Sequence, residues 1–256
     1  MIFIDSREGL SGDMLLAAMI GLLDDSVRKR TTDRLGLVSQ RRDVKFQIME
    51  MEEDREKGLG ISYTRSEALQ RDAPYDECFD RLREIEKELG SKSAVGKKIL
   101  ANIFEAEAEA HRLPVRDVHL HEIGRTEAMM NIAGISFVSA LLSKDGDEEY
   151  VCSTITIGKG VVVVSHGAIR IPAPASAFLL RGLRNEQGSS PGERATPTGI
   201  AAVKTLVSAQ SDDVPDGFSR RSIGFGTKRF GGRLGRTTLY RVRTDLTAMA
   251  QGISNE

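Results

Sequence analysis

The stretch VHLHEIGRTEAMMNIAG, residues 118–134, sets His119, His121 and Glu122 within four consecutive positions. In extended backbone, residues two apart project to the same face, so the imidazoles of His119 and His121 can share one ligand. Glu122 points elsewhere in a regular strand and joins them if the chain turns before the following helix. Imidazole suits nickel, zinc, copper and iron, and one carboxylate completes a borderline-hard site. A structural zinc site is disfavoured, because such sites mostly use cysteine thiolates. The competing reading is a hydrogen-bonded polar strand end, with Glu122 favouring the next helix through its dipole.

Further candidates are spread along the chain. Glu127 and Asn131 are four apart, so they share one face of a helix that is otherwise apolar. Asp5 ends a strand and Asp13 sits in the first turn of the next helix, where a carboxylate can hold a metal or a substrate, or simply answer the helix dipole. ATPTG places Thr196 at an N-cap and Pro197 at the first helical position, followed by Thr198 and Gly199. Such a helix start can bind phosphate through free backbone N–H groups. Gly158 and Gly160 of GKG could bring backbone close to a ligand, or form a hairpin turn or bulge. Walker and dinucleotide spacings are missing. His166 beside Gly167 joins a site only if the fold carries it towards His119 and His121. Finally, Ser219–Arg243 holds Arg220, Arg221, Lys228, Arg229, Arg233, Arg236, Arg241 and Arg243 without an acidic residue. That cationic run could receive the phosphate of a nucleotide-like substrate or of RNA, or be a solvated sheet face. Its few aromatics support single-strand stacking poorly, so nucleic acid is not the expected partner.

These groups must be positioned by alternating strands and helices. IFID reads as a buried strand, followed by the helix LSGDMLLAAMIGLLDD with Ser11 as N-cap. VKFQIMEME alternates as a half-exposed strand does. REKGLGISYTRSEALQRDAP reads as a mobile connection with room for one strand. Helical spacing runs from Tyr75 to Gly90 and on to Arg112 before Pro114, and Thr126–Leu142 is apolar enough for a buried helix. Beyond Asp147, YVCSTITIGKGVVVV and AIRIPAP are β-rich, ASAFLLRGL and GIAAVKTLVSAQ are helical, and SRRSIGFGTKRF and TTLYRVRT close the chain as strands. The expected class is α+β, a mixed sheet with packed helices. Either it forms two lobes, a helix-rich 1–145 and a β-rich 148–244, or the later strands complete one sheet.

The bulk properties exclude several functions. The chain has 256 residues, a formal net charge of −1, 40% hydrophobic and 29% charged residues, ordinary values for a globular protein. Cys78 and Cys152 form no CxxC, so neither a disulfide framework nor a thiolate zinc motif is indicated. MIFIDSREG lacks a signal-peptide core, and no run approaches the roughly 20 apolar residues that span a bilayer. A reducing cytoplasm is the default, with no membrane partner.

Taken in order, five segments resemble the LarC family, the nickel-insertion proteins of lactate-racemase cofactor synthesis. They are IDSREGLSGDMLLAAM, VHLHEIGRTEAMMNIAG, IGKGVVVVSHGAIRIPAPA, ERATPTGIAAVKTL and IGFGTKRFGGR, and they span nearly the whole chain. The resemblance implies an enzyme of the metal-chelatase (lyase) kind, inserting nickel into a dithiolated pyridinium mononucleotide. The product binds nickel through carbon and sulfur. The family reaction also consumes a cytidine nucleotide and needs manganese or magnesium. On this reading His119, His121, Glu122 and His166 handle the metal, and Asp13 and Glu127 act at the reaction centre. The phosphate would find ATPTG, GKG or the C-terminal arginines. SRE here replaces a Cys-Phe-Ser portion of the family opening. Glu127 and Asn131 stand where the family helix usually carries two aspartates, and losing one anionic oxygen weakens a hard-cation site. The LarC-like region is expected over 1–244 with a tail at 245–256, and the domain that relatives carry after it is expected on a separate chain. The alternative is a non-catalytic relative that binds a divalent metal or a nucleotide-like ligand.

Overall fold

The computed structural model describes residues 1–65, 73–120, 124–143, 148–164 and 167–242. In chain order the strands are β1 (Ile2–Asp5), β2 (Val44–Glu53), β3 (Glu56–Arg65), β4 (Ala73–Pro74), β5 (His119–Leu120), β6 (Tyr150–Cys152) and β7 (Ile155–Lys159). They continue with β8 (Val161–Val164), β9 (Gly167–Arg170), β10 (Asn185–Pro191), β11 (Ala209–Gln210), β12 (Arg220–Phe230) and β13 (Arg233–Arg241). The helices are α1 (Gly12–Gly21), α2 (Asp25–Gln40), α3 (Tyr75–Leu89), α4 (Val95–His111), α5 (Thr126–Leu142), α6 (Pro174–Leu179) and α7 (Pro197–Leu206).

A seven-stranded mixed sheet runs in the order β11-β6-β1-β13-β12-β3-β2, as the expected α+β class requires. It interleaves strands from both halves of the chain: β1 pairs in parallel with β6 and antiparallel with β13, and β3 pairs in parallel with β12. The run IFID is buried through Ile2, Phe3 and Ile4 because it lies inside this sheet. The segment read as a connection with room for one strand holds that strand over 56–65, paired along its length with β2. Asp54 and Arg55, at φ 52 and φ 66, make the two-residue turn between them, the left-handed pair that matches strand twist. The rest of that expected connection, 66–72, lies outside the described residues.

α1 crosses one face of the sheet and comes close to β12. The approach depends on Gly224, where a Cβ would stand 1.9 Å from the Met14 carbonyl oxygen. α5 then packs over α1, and Gly134 meets Leu16 there with no room for a side chain. α5 is apolar on most sides because α1, α2, α3, α4 and α7 all touch it. α3 presents Leu82, Ile85 and Leu89 to the core and stops at Gly90, which takes a left-handed φ of 70°. The opposite face of the sheet is finished by side chains, including Phe3 against Tyr240 and Phe218 against Tyr240.

Candidate functional site

Two helix starts meet because a short parallel bridge joins Leu10 to Ala195. The Leu10 N–H donates to the Arg194 carbonyl at 2.9 Å, and the Thr196 N–H donates to the Leu10 carbonyl at 2.8 Å. α1 and α7 therefore begin side by side, and their free first-turn N–H groups and dipoles favour negative charge there. Each start carries the hydroxyl cap expected of it. Ser11 Oγ accepts from the Met14 N–H at 3.5 Å and donates to Asp13 Oδ1 at 2.5 Å. Thr196 Oγ1 accepts from the Gly199 N–H at 3.4 Å. The close approach needs Gly199, where a Cβ would fall 2.7 Å from the Leu10 carbonyl oxygen.

Beside these starts lies a cavity of about 100 Å³ whose lining includes Ser11, Asp13, Glu193, Arg194, Thr196, Thr227, Lys228 and Phe230. Pockets that enclose a whole small molecule run to roughly 300–1,000 Å³, so this one takes a single functional group. Lys228 Nζ stands 3.9 Å from Glu193 Oε2. The Arg194 guanidinium lies over the Phe230 ring at 4.9 Å, and its Nε is buried without a hydrogen-bond partner among the described residues.

The charge of Asp13 also acts on Tyr63 of β3, as does that of Glu127 of α5. The Tyr63 hydroxyl donates to Asn131 Oδ1 at 2.8 Å. Burial holds the Tyr63 phenol well above its ordinary range, and the charges of Asp13 and Glu127 add to this. Tyr63 is therefore a neutral donor at physiological pH, flanked by two carboxylates.

Sequence-expected residues are thus partly assembled. Asp13, Glu127 and Asn131 converge around Tyr63; Thr196 lines the cavity, and Thr198 is buried with its methyl against Gly12. Gly158 is absent from the cavity lining and its backbone presses on that of Gly192, while Gly160 takes φ 92° in the turn between β7 and β8. His119 is exposed on β5, opposite Pro74. His121, Glu122 and His166 lie outside the described residues. Among the described residues no three His, Cys, Asp or Glu side chains gather in a metal-holding group. Asp5 is held by Arg7, through hydrogen bonds of 2.8 and 2.7 Å.

The basic segment proves different from its sequence impression. Arg220 pairs with Asp24, Arg221 and Arg236 with Glu56, Lys228 with Glu193, Arg229 with Glu53, Arg233 with Asp54 and Arg241 with Glu148. The carboxylates come from distant segments that β-pairing brings alongside, so the cationic run is neutralised in place. Arg243 lies outside the described residues. Tyr63, Glu193, Arg194 and Phe230 were not singled out from sequence as members of a site. Tyr63 was detectable from the alternation of Ile61 and Tyr63, once that segment is read as a strand.

Fold and cavity together define an α+β protein with a mixed sheet and a small polar niche where two helices begin. The chain belongs to the nickel insertion protein family, which it matches over residues 2–247. It is 33% identical over 232 residues to a protein of Geotalea daltonii named for nickel insertion, covering 88% of this chain and 56% of that one. A like-named protein of Rhodopirellula baltica is 31% identical over 231 residues, covering 88% and 55%. The pyridinium-3,5-bisthiocarboxylic acid mononucleotide nickel insertion protein of Clostridium kluyveri is 28% identical over 242 residues, covering 88% and 57%. The chain thus spans little more than half the length of these relatives. No solved structure matches it significantly. No helix among the described residues is long and apolar enough to cross a membrane.

Proposed function

We propose that this chain takes part in inserting nickel into a pyridinium bisthiocarboxylic acid mononucleotide, the substrate in the name of the Clostridium kluyveri relative. The observation that carries this reading is the position of Asp13, which lines the cavity at two helix starts and lies within electrostatic reach of Tyr63. Phosphate is suited to the cavity, through the helix starts at Ser11 and Thr196 and the nearby Arg194 and Lys228. Thr198 and Gly199 shape that start, and Gly158 and Gly160 offer backbone to the substrate next to it. Nickel is the cargo. His119, with His121, Glu122 and His166, is the donor set for presenting it, since imidazole holds nickel well and an incomplete shell lets it go.

Bonding nickel to a ring carbon expels the ring proton. Asp13 or Glu127 accepts that proton, and the neutral Tyr63 hydroxyl keeps Asn131 oriented beside them. Manganese or magnesium used with a cytidine nucleotide would take hard oxygens, and among the described residues no three carboxylates gather to hold it. The test is to incubate the purified protein with Ni²⁺ and the mononucleotide, with and without a cytidine nucleotide and Mn²⁺, and to follow the nickel-bearing product by mass spectrometry. Product is expected, and Asp13→Asn should lower its rate about 100-fold or more, the usual scale for a lost general base. Absence of product under both conditions overturns the reading.

A further inference from the structure

We propose that Arg194 is the specificity-determining residue that receives the substrate's phosphate monoester; this rests on the mononucleotide reading above. Seven basic side chains of the segment 220–241 are each matched to a carboxylate, but Arg194 makes no ion pair among the described residues. Its guanidinium is nevertheless held, with Cζ over the Phe230 ring at 4.9 Å and Nη1 at 3.5 Å from the Arg7 carbonyl oxygen. Its Nε is buried and has no hydrogen-bond partner among the described residues, although it belongs to a cavity-lining residue. A buried donor left unsatisfied is costly, and a guanidinium held in one plane presents a fork that matches phosphate oxygens.

The surroundings favour an anion. Arg194 immediately precedes Ala195 and the Thr196 cap, so the positive end of the α7 dipole adds to its charge. The carboxylates of the cavity are already engaged: Asp13 accepts from Ser11, and Glu193 faces Lys228. Lys228 is 62% exposed and stands 3.9 Å from its partner, a loose contact that lets it swing to a phosphate. The cavity holds one group of that size, leaving the ring and ribose outside it.

The test compares two probes by calorimetry on the full chain: nicotinic acid mononucleotide and its nucleoside, which keeps the ring carboxylate but lacks the phosphate. Wild type should bind the mononucleotide at least about tenfold more tightly, the scale of one charged hydrogen bond. Arg194→Met should erase that preference while leaving nucleoside binding unchanged. Arg194→Lys, which keeps charge and bulk but not the planar fork, should restore part of it and guards against a folding defect in the first variant. Equal binding of both probes by wild type, or an undiminished preference in Arg194→Met, overturns the proposal. A chain that discriminates in this way yet never yields nickel product would sink the insertion reading and leave Arg194's role standing. Product formation without discrimination would do the reverse.

Discussion

Tyr63 on β3 and Asn131 on α5, 68 residues apart in the chain, are joined by a 2.8 Å hydrogen bond from the phenolic hydroxyl to the amide oxygen. The bond ties the sheet to the buried helix, and burial, with the charges of Asp13 and Glu127 adding to it, keeps the phenol protonated. Removing the hydroxyl with Tyr63→Phe should cost about 1–2 kcal/mol, since the Asn131 oxygen loses its donor. The pH dependence has a definite sign. The folded phenol titrates above the ordinary value of 10.0, so its stabilising contribution is complete below that pH and is lost as pH rises beyond it. Urea melts at pH 8 and pH 11 should show the gap between wild type and Tyr63→Phe shrinking at the higher pH. A constant gap would mean the phenol is not shifted.

Glu86 on α3 reports on the helical layer in the same way. Burial raises its carboxyl above the ordinary value of 4.5, and the nearby Ser136 hydroxyl only partly offsets this. A carboxylate raised on folding stabilises fully at low pH and loses that contribution as pH rises through the folded value. Glu86→Gln should therefore melt at a higher temperature than wild type at pH 8, with the gain vanishing by pH 4. A gain that persists at pH 4 would point to a different cause.

Gly224 measures how tightly α1 is pressed onto the sheet. A methyl group there would lie 1.9 Å from the Met14 carbonyl oxygen, against backbone that cannot step aside. Gly224→Ala should destabilise by about 1–3 kcal/mol or more, the range for overpacked cores. Thermal melting followed by circular dichroism checks this, and an unchanged midpoint would contradict the packing described.

The thiols should be silent in the native protein. Cys78 and Cys152 are both free and buried. Burial pushes their pKa values up to about 11 and about 12. The thiolate is the reactive species, so native protein at pH 8 should resist iodoacetamide and unfolded protein should react at both positions. Mass spectrometry of the labelled chain decides, and rapid native labelling would show that the thiols are exposed.

Nickel uptake should depend on the pair that opens the histidine motif. Metal-stripped protein titrated with Ni²⁺ is expected to bind about one ion, and His119→Ala combined with His121→Ala should abolish binding. If the two proteins bind alike, the motif is a polar turn ahead of α5, and nickel is held elsewhere.

Much of the local structure was legible because it depends on neighbours in the chain. Ser11 and Thr196 cap their helices, Pro197 opens α7, Gly90 ends α3, and α5 runs from Thr126 to Leu142 as its apolar content indicated. α2 was not legible. Only Thr31, Leu35, Val38 and Ser39 are buried on it, too thin a stripe to stand out among charged residues. The second strand in REKGLGISYTR was underrated because glycine lowers strand propensity, whereas here Gly58 and Gly60 clear space for Ile223, Phe225 and Met51.

What the amino-acid order determined by itself was the set of helix starts, the apolar and polar faces, the histidine motif and, through five ordered segments, the family. What only the tertiary structure decided was proximity. β12 and β13 enter the sheet between β1 and β3, which brings Lys228 and Phe230 to the cavity and carries carboxylates to every described base of the segment 220–241. The bridge from Leu10 to Ala195 sets two helix starts together across most of the chain's length, and the same packing leaves Arg194 without an ion-pair partner among the described residues. Pairing between strands and packing between helices are satisfied by many registers of any one segment. The choice among them is made by the whole core at once, so no stretch read alone reveals which charges will meet.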